Sequence, residues 1–279
     1  MGYSARYHAT SLIAVFIALA VGLLVGAQFG GDALNNTRRD LEHSLVGNLQ
    51  DARSRADELN ADLNRSNEFA ERVYPALVRE RLQGKRFAIV ALGGLPSPVT
   101  EEVEEALGPT GGRLVGVGVV REPVDVNGLA EDLAKTRFSA LRTNSDGLSE
   151  LGTGLGRQLV RGHLLSRASG SFGGLDGVII VRDQPEEMGT VQREKTNQLE
   201  TALMDGITAT RRPAVGVETS SDDSSSISFF QANGLASVDD VDMTAGKLAT
   251  VFALLGADGS FGVKGSADQL LPDLLTEGE

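Results

Sequence analysis

The densest group of side chains able to do chemistry is Val238-Asp239-Asp240-Val241-Asp242. Oxygen ligands at this spacing could hold a hard cation, so Asp239, Asp240 and Asp242 are the candidate metal ligands, with the metal itself unassigned. The competing reading is structural: Asp242 caps a helix that begins at Met243 or Thr244, and its neighbours add to the favourable field at that terminus. The three histidines, His8, His43 and His163, are too scattered along the chain for a catalytic triad or a zinc site. There is no cysteine, which removes thiolate metal sites, disulfides and a Cys nucleophile from consideration. Gly93-Gly94 matches neither G-x-G-x-x-G nor a P-loop, so it is expected to serve a tight turn. Nothing marks a carboxylate-pair hydrolase. The residues identify no catalytic and no cofactor-binding group.

These candidates sit in a distal region with alternating short apolar runs and amphipathic helices, the pattern of an α/β layer fold. Arg86 to Leu92 reads as a buried strand that runs into Gly93-Gly94, after which Ser97 and Pro98 open a helix. Leu114 to Val120 is a second strand, 126–165 a polar helical region, and Val178 to Val181 a third strand. Thr190 to Thr210 reads as a helix, Ala214 to Val217 as a fourth strand, and Thr219 to Ser226 as a solvated loop. Ile227 to Phe230 reads as an edge strand, and Thr244 to Leu255 as a closing helix. The net charge is −12, and from Ala214 onward eleven acids face two lysines. Phosphate binding by nucleic-acid partners needs clustered Lys and Arg, so no nucleic-acid partner is expected.

Two further segments precede this domain. Ala9 to Phe29 carries no formal charge and is long enough for a helix across a hydrocarbon core, where only a helix keeps its backbone paired. An uncleaved anchor in membrane lipid is the expectation for residues 9–29; a cleaved secretory signal with Arg6 as its basic flank is the alternative. Either way the rest of the chain is exported. Beyond Gly30-Gly31, apolar or small residues recur at spacings of three and four. Leu49, Ala56, Leu63, Ala70 and Leu77 share one seam position, and Leu45, Ala52, Leu59, Ser66 and Val73 the other. This heptad pattern implies a coiled-coil rod and a parallel homodimer, with a lone amphipathic helix as the alternative. Pro75 is expected to kink or end the rod near Tyr74. The fold class is therefore α/β: a tail and single transmembrane helix over 1–31, a coiled-coil helix over 32–83, and a mainly parallel α/β envelope-facing domain over 84–279.

Tyr7 to Leu12, the anchor with Gly22 and Gly26, the rod, Ser237 to Asp242 with Gly246-Lys247-Leu248-Ala249, Gly259 to Gly262 and Leu270-Leu271-Pro272 together resemble the actinobacterial MctB-type copper transport proteins. The resemblance implies a role in copper efflux or homeostasis at the cell envelope, and a related branch of the family implies envelope growth and division. Cu(I) prefers thiolate and thioether ligands, and this chain offers only Met1, Met188, Met204 and Met243. Any copper role is thus expected to run through envelope protein partners, and copper enters only by resemblance. The alternative is a scaffold or interaction protein for envelope assembly or division with no metal role.

Overall fold

In the computed structural model, residues 5–120, 145–161, 167–185, 187–222 and 224–273 are described. The chain divides into two compact units, Met1–Ser66 and Asn67–Glu279. A single helix, α1, runs from Ala5 to Val78. Its segment Tyr7–Gln28 is long and apolar enough to cross a membrane, and none of it is buried. Further along, Leu45, Leu49, Leu59 and Leu63 are 59–63% exposed. Between these leucines the surface is charged, with Arg65 paired to Asp62 and Arg72 to Glu68 one turn apart, contacts that support a helix by a few tenths of a kcal/mol each.

Pro75 does not stop the helix near Tyr74; it lies in the last turn, and α1 continues to Val78. The reason is tertiary. Tyr74 and Val78 are buried in the domain core, and the Tyr74 hydroxyl donates to the Ala106 carbonyl at 2.6 Å. The backbone then turns away through Glu80 in the left-handed region, with φ 59°.

The domain is a seven-stranded sheet in the order β3-β2-β1-β4-β5-β6-β7. Its strands are β1 Arg86–Gly93, β2 Arg113–Val120, β3 Arg167–Gly170, β4 Gly177–Asp183, β5 Ala214–Val217, β6 Ala236–Val238 and β7 Ser260–Phe261. All neighbours pair in parallel except β3, which runs antiparallel to β2. The helices are α2 Ser97–Leu107, α3 Ser145–Arg161, α4 Thr190–Thr208, α5 Ile227–Ala232 and α6 Thr244–Leu255. Of the polar helical region expected over 126–165, α3 is the described part; 126–144 and 162–165 lie outside the described residues. Ile227 to Phe230, expected as an edge strand, is instead the start of α5. Ile227 and Phe230 are both buried, the i, i+3 spacing of one helix face. The Phe230 ring occupies a socket that only Gly216 leaves open, since a Cβ at residue 216 would stand 2.3 Å from it.

Alternation along β1 builds two cores. Phe87, Ile89 and Ala91 face one side with Val99, Val103 and Leu107 of α2, Leu248 to Leu254 of α6, and the Tyr74–Val78 end of α1. Ala88, Val90 and Leu92 face the other with Leu155 of α3, Leu199, Leu203 and Ile207 of α4, and Phe230 of α5. A strand buried on both faces must read as an unbroken apolar run, which is why β1 and β4 are so plain in the sequence. Two devices fix the helix layers. Gly156 lets α3 approach α4 closely enough that a Cβ there would come within 2.2 Å of the Leu203 carbonyl oxygen. Lys247 of α6 pairs with Glu102 at 2.8 Å and Glu105 at 2.7 Å on α2. Burial pulls the Lys247 pKa down, but the hydrogen bonds its ammonium donates to the Glu102 and Glu105 carboxylates, with their charges, outweigh it and raise its pKa.

Candidate functional site

Parallel α/β sheets bind ligands outside the carboxyl ends of their strands, at the point where the connections part to opposite sides. Here that point lies between β1 and β4, because β1 is flanked by β2 on one side and by β4 on the other. At its mouth Gly93 adopts φ 86°. The Gly94 amide donates to the Asp183 carbonyl at 2.7 Å, and a Cβ on Gly94 would stand 2.2 Å from the Asp183 carboxylate. A side chain on Gly94 would therefore have to displace the Asp183 carboxylate where the first loop crosses the end of β4. A cleft of about 320 Å³ opens beside it, lined by Pro96, Arg182, Asp183, Gln184, Asp222 and Ser224 to Ser226, among others.

The cations of this cleft are already engaged. Arg182 donates through Nε to Glu200 at 3.0 Å and through Nη2 to Asn197 at 3.1 Å, and its guanidinium lies 4.3 Å from the centre of the Phe229 ring. Gln184 closes the network with Nε2 donating to Asn197 and Glu200, both at 2.8 Å. On the far wall, Glu218 accepts from the Ser226 amide at 2.7 Å and pairs with Lys264 at 2.8 Å. The Lys264 ammonium also donates to the Asp222 carbonyl at 2.9 Å. The described loop residues 219–222 and 224–226 are consequently held by specific contacts, with Thr219 and Ser226 buried. A phosphate cradle is missing at the start of α2, where Pro96 and Pro98 carry no N–H and the Val99 amide donates to the Pro96 carbonyl at 3.1 Å.

The three aspartates of the acidic run lie together just past β6, and each has a different environment. Asp239 accepts from the Val263 amide at 2.8 Å and the Lys264 amide at 3.1 Å, which fixes the turn after β7. Gly262, at φ 139°, makes room, because a Cβ there would come within 1.9 Å of the Asp239 carboxylate. Asp242 accepts from the amide and the hydroxyl of Ser220, both at 2.7 Å. It therefore does not cap α6: Met243 is the N-cap residue, and no side chain caps that terminus. Asp240 is fully buried, and neither carboxylate oxygen has a hydrogen-bond partner. Desolvation, then the charges of Asp239 and Asp242, push its pKa up to about 7. Among the described residues no group of three or more His, Cys, Asp or Glu is arranged to hold a metal ion. Arg182, Asn197 and Glu200 form the most connected polar cluster, and nothing in the sequence alone singled them out. The available signal was the switch from the apolar run 178–181 to Arg182-Asp183 at the carboxyl end of a strand.

Fold and site together define an α/β protein with an apolar N-terminal helix and a polar cleft at the switch point of its sheet. The family model described as copper transport outer membrane protein, MctB, matches residues 3–136 and 125–272, and the chain belongs to that family. It is similar to the copper transporter MctB of Mycobacterium tuberculosis (strain ATCC 25618 / H37Rv) and to that of Mycobacterium bovis, each 30% identical over 125 residues. Those residues are 44% of this chain and 40% of each relative, so the match spans less than half the length of either.

Proposed function

We propose that this chain is a single-pass membrane protein of the cell envelope that contributes to copper homeostasis through protein partners. The observation that carries the reading is the family match along nearly the whole chain, joined to the wholly exposed apolar helix Tyr7–Gln28. Lipid would satisfy that surface, as burial of apolar area against water drives insertion. The exposed leucines at 45, 49, 59 and 63 support a parallel dimer through a coiled coil along α1, ending before Tyr74 enters the domain core, and two tethered anchors would raise its effective concentration. The domain over 84–279 would lie outside the cytoplasm.

A second reading, a scaffold for envelope assembly without a metal role, is favoured by the ligand inventory. Met204 is fully buried and Met188 nearly so, while Met243 is 39% exposed and stands alone. Deleting the gene and comparing copper tolerance with cell shape separates the two. Lost tolerance with normal septation supports the copper role; unchanged tolerance with failed septation refutes it. Titrating the full chain with Cu(I) and Cu(II) adds a direct check, because the reading through partners expects no saturable tight site.

A further inference from the structure

The loops at the amino ends of the strands carry a charge opposite to that of the whole chain. Arg79, Arg81, Lys85 and Arg86 lie on the segment that leads into β1, and all but Arg86 are exposed. Arg113 opens β2 directly beside Arg86, its register partner. Arg211 and Arg212, both exposed, precede β5. On the loops at this end the acids are Glu80, Asp176 and Asp258, and Asp176 is answered by Lys85 at 3.4 Å and by the Arg86 amide at 3.0 Å. The carboxyl ends show the reverse: the acids Asp183, Glu218, Asp222, Asp239, Asp240 and Asp242 outnumber Arg182, Arg193 and Lys264, and Arg182 and Lys264 are ion-paired.

Compensation of helix dipoles would be the ordinary account of such polarity, since the carboxyl ends of α2, α4 and α6 attract cations. It covers only part of the cluster. None of these three helices has a basic residue in its own last turn, but Arg81 lies over the Phe252 ring in the last turn of α6 and donates to the Leu77 carbonyl at the end of α1, and Arg212 donates to the Leu175 carbonyl. Arg79, Arg113 and Arg211 enter no ion pair or hydrogen bond through their guanidinium groups among the described residues. Arg211 is moreover held at φ 56°, a conformation that disfavours a long side chain.

We propose that this end of the domain is a docking surface for a linear polyphosphate-type polymer without bases, since among the described residues the loops offer no exposed aromatic side chain for base stacking. Six of its seven basic residues are arginine, whose planar fork pairs with phosphate oxygens two at a time. The positive groups extend from the start of β2 to the start of β5, about 14 Å of sheet edge at about 4.8 Å per strand. A single anion cannot bridge that distance; a chain of anions can.

The test is retention of the full-length chain, in non-ionic detergent, on immobilised inorganic polyphosphate from about 50 mM salt upward. The wild type is retained and elutes with a steep salt dependence. R79E/R113E/R211E, which removes no contact recorded in the structure, makes the slope of log K against log salt shallower by about 2, as each lost phosphate contact contributes about 0.7. R53E/R55E/R65E changes net charge equally on the exposed face of α1 and keeps the wild-type slope. The milder set R79Q/R113Q/R211N, with asparagine suited to the positive φ, gives a smaller loss in the same direction. No retention of the wild type, an equal loss in the two charge-reversed triples, or equal retention on immobilised polyglutamate would each overturn the proposal.

Discussion

Replacing Asp240 by asparagine should make the domain more stable above neutral pH and change the shape of its pH dependence. In the folded chain the Asp240 carboxyl has no hydrogen-bond partner and is sealed from water. Desolvation, together with Asp239 and Asp242, holds its pKa near 7 against an ordinary value of 3.8, while Lys264 opposes the shift. The folded state thus keeps a proton that the unfolded chain has already released, and folding takes up that proton between these two values. The resulting penalty is absent below 3.8, grows as pH rises, and is complete above about 7; its ceiling is about 4 kcal/mol at 1.36 kcal/mol per pH unit. Asparagine does not titrate, and it leaves a buried amide unpaired at a cost of about 1–3 kcal/mol at every pH. The difference in unfolding free energy, variant minus wild type, should therefore rise by about 2–3 kcal/mol from pH 5 to pH 8. Urea unfolding followed by tyrosine fluorescence measures it, because Tyr74 is the one tyrosine in the sheet domain. Parallel stability curves for the two proteins across that range would refute the assignment.

Gly156→Val should cost at least about 2 kcal/mol, because the added carbon meets the Leu203 carbonyl. Gly108→Ala, at a helical φ of −48° with open space around it, should add about 0.5–1 kcal/mol, and urea midpoints read both. Removing Lys247 should leave Glu102 facing the α2–α6 seam unpaired, at about 1–3 kcal/mol. Glu105, 70% exposed, should contribute less than Glu102 in a double-mutant cycle. Leu59→Asp with Leu63→Asp should convert a detergent-solubilised dimer to monomer in sedimentation; an unchanged dimer would place the seam elsewhere on the helix.

How much the sequence disclosed follows from how far each interaction reaches along the chain. β1 and β4 were legible because strands buried on both faces have nothing but apolar residues to offer, α4 because its face repeats over several turns, and α6 because a mostly apolar run from Gly246 to Leu254, buried throughout, is too long for a strand. β6 and β7 have three and two residues, too short for any period to register. The stretch Ile227-Ser228-Phe229-Phe230 satisfies a strand pattern by its first three residues and a helix pattern by its first and last. What decides between them is Gly216, eleven positions upstream, whose missing side chain receives the Phe230 ring.

The site was less legible for the same reason carried further. Asp242 looked like a helix cap because Thr244 is close in sequence, yet Ser220, 22 residues away, holds both of its oxygens. A carboxylate that accepts two hydrogen bonds from a neighbouring loop gives up its cap position, and α6 then starts without a side-chain cap. Its first turn packs over Asp240 instead, where Gly246 is the only residue that leaves room, as a Cβ would come 2.0 Å from the Asp240 carbonyl oxygen. One acidic run thus yields a turn fastener at Asp239, a loop anchor at Asp242 and a buried, unpartnered carboxyl at Asp240. Charge spacing alone would treat the three as equivalent; their non-local partners make them different.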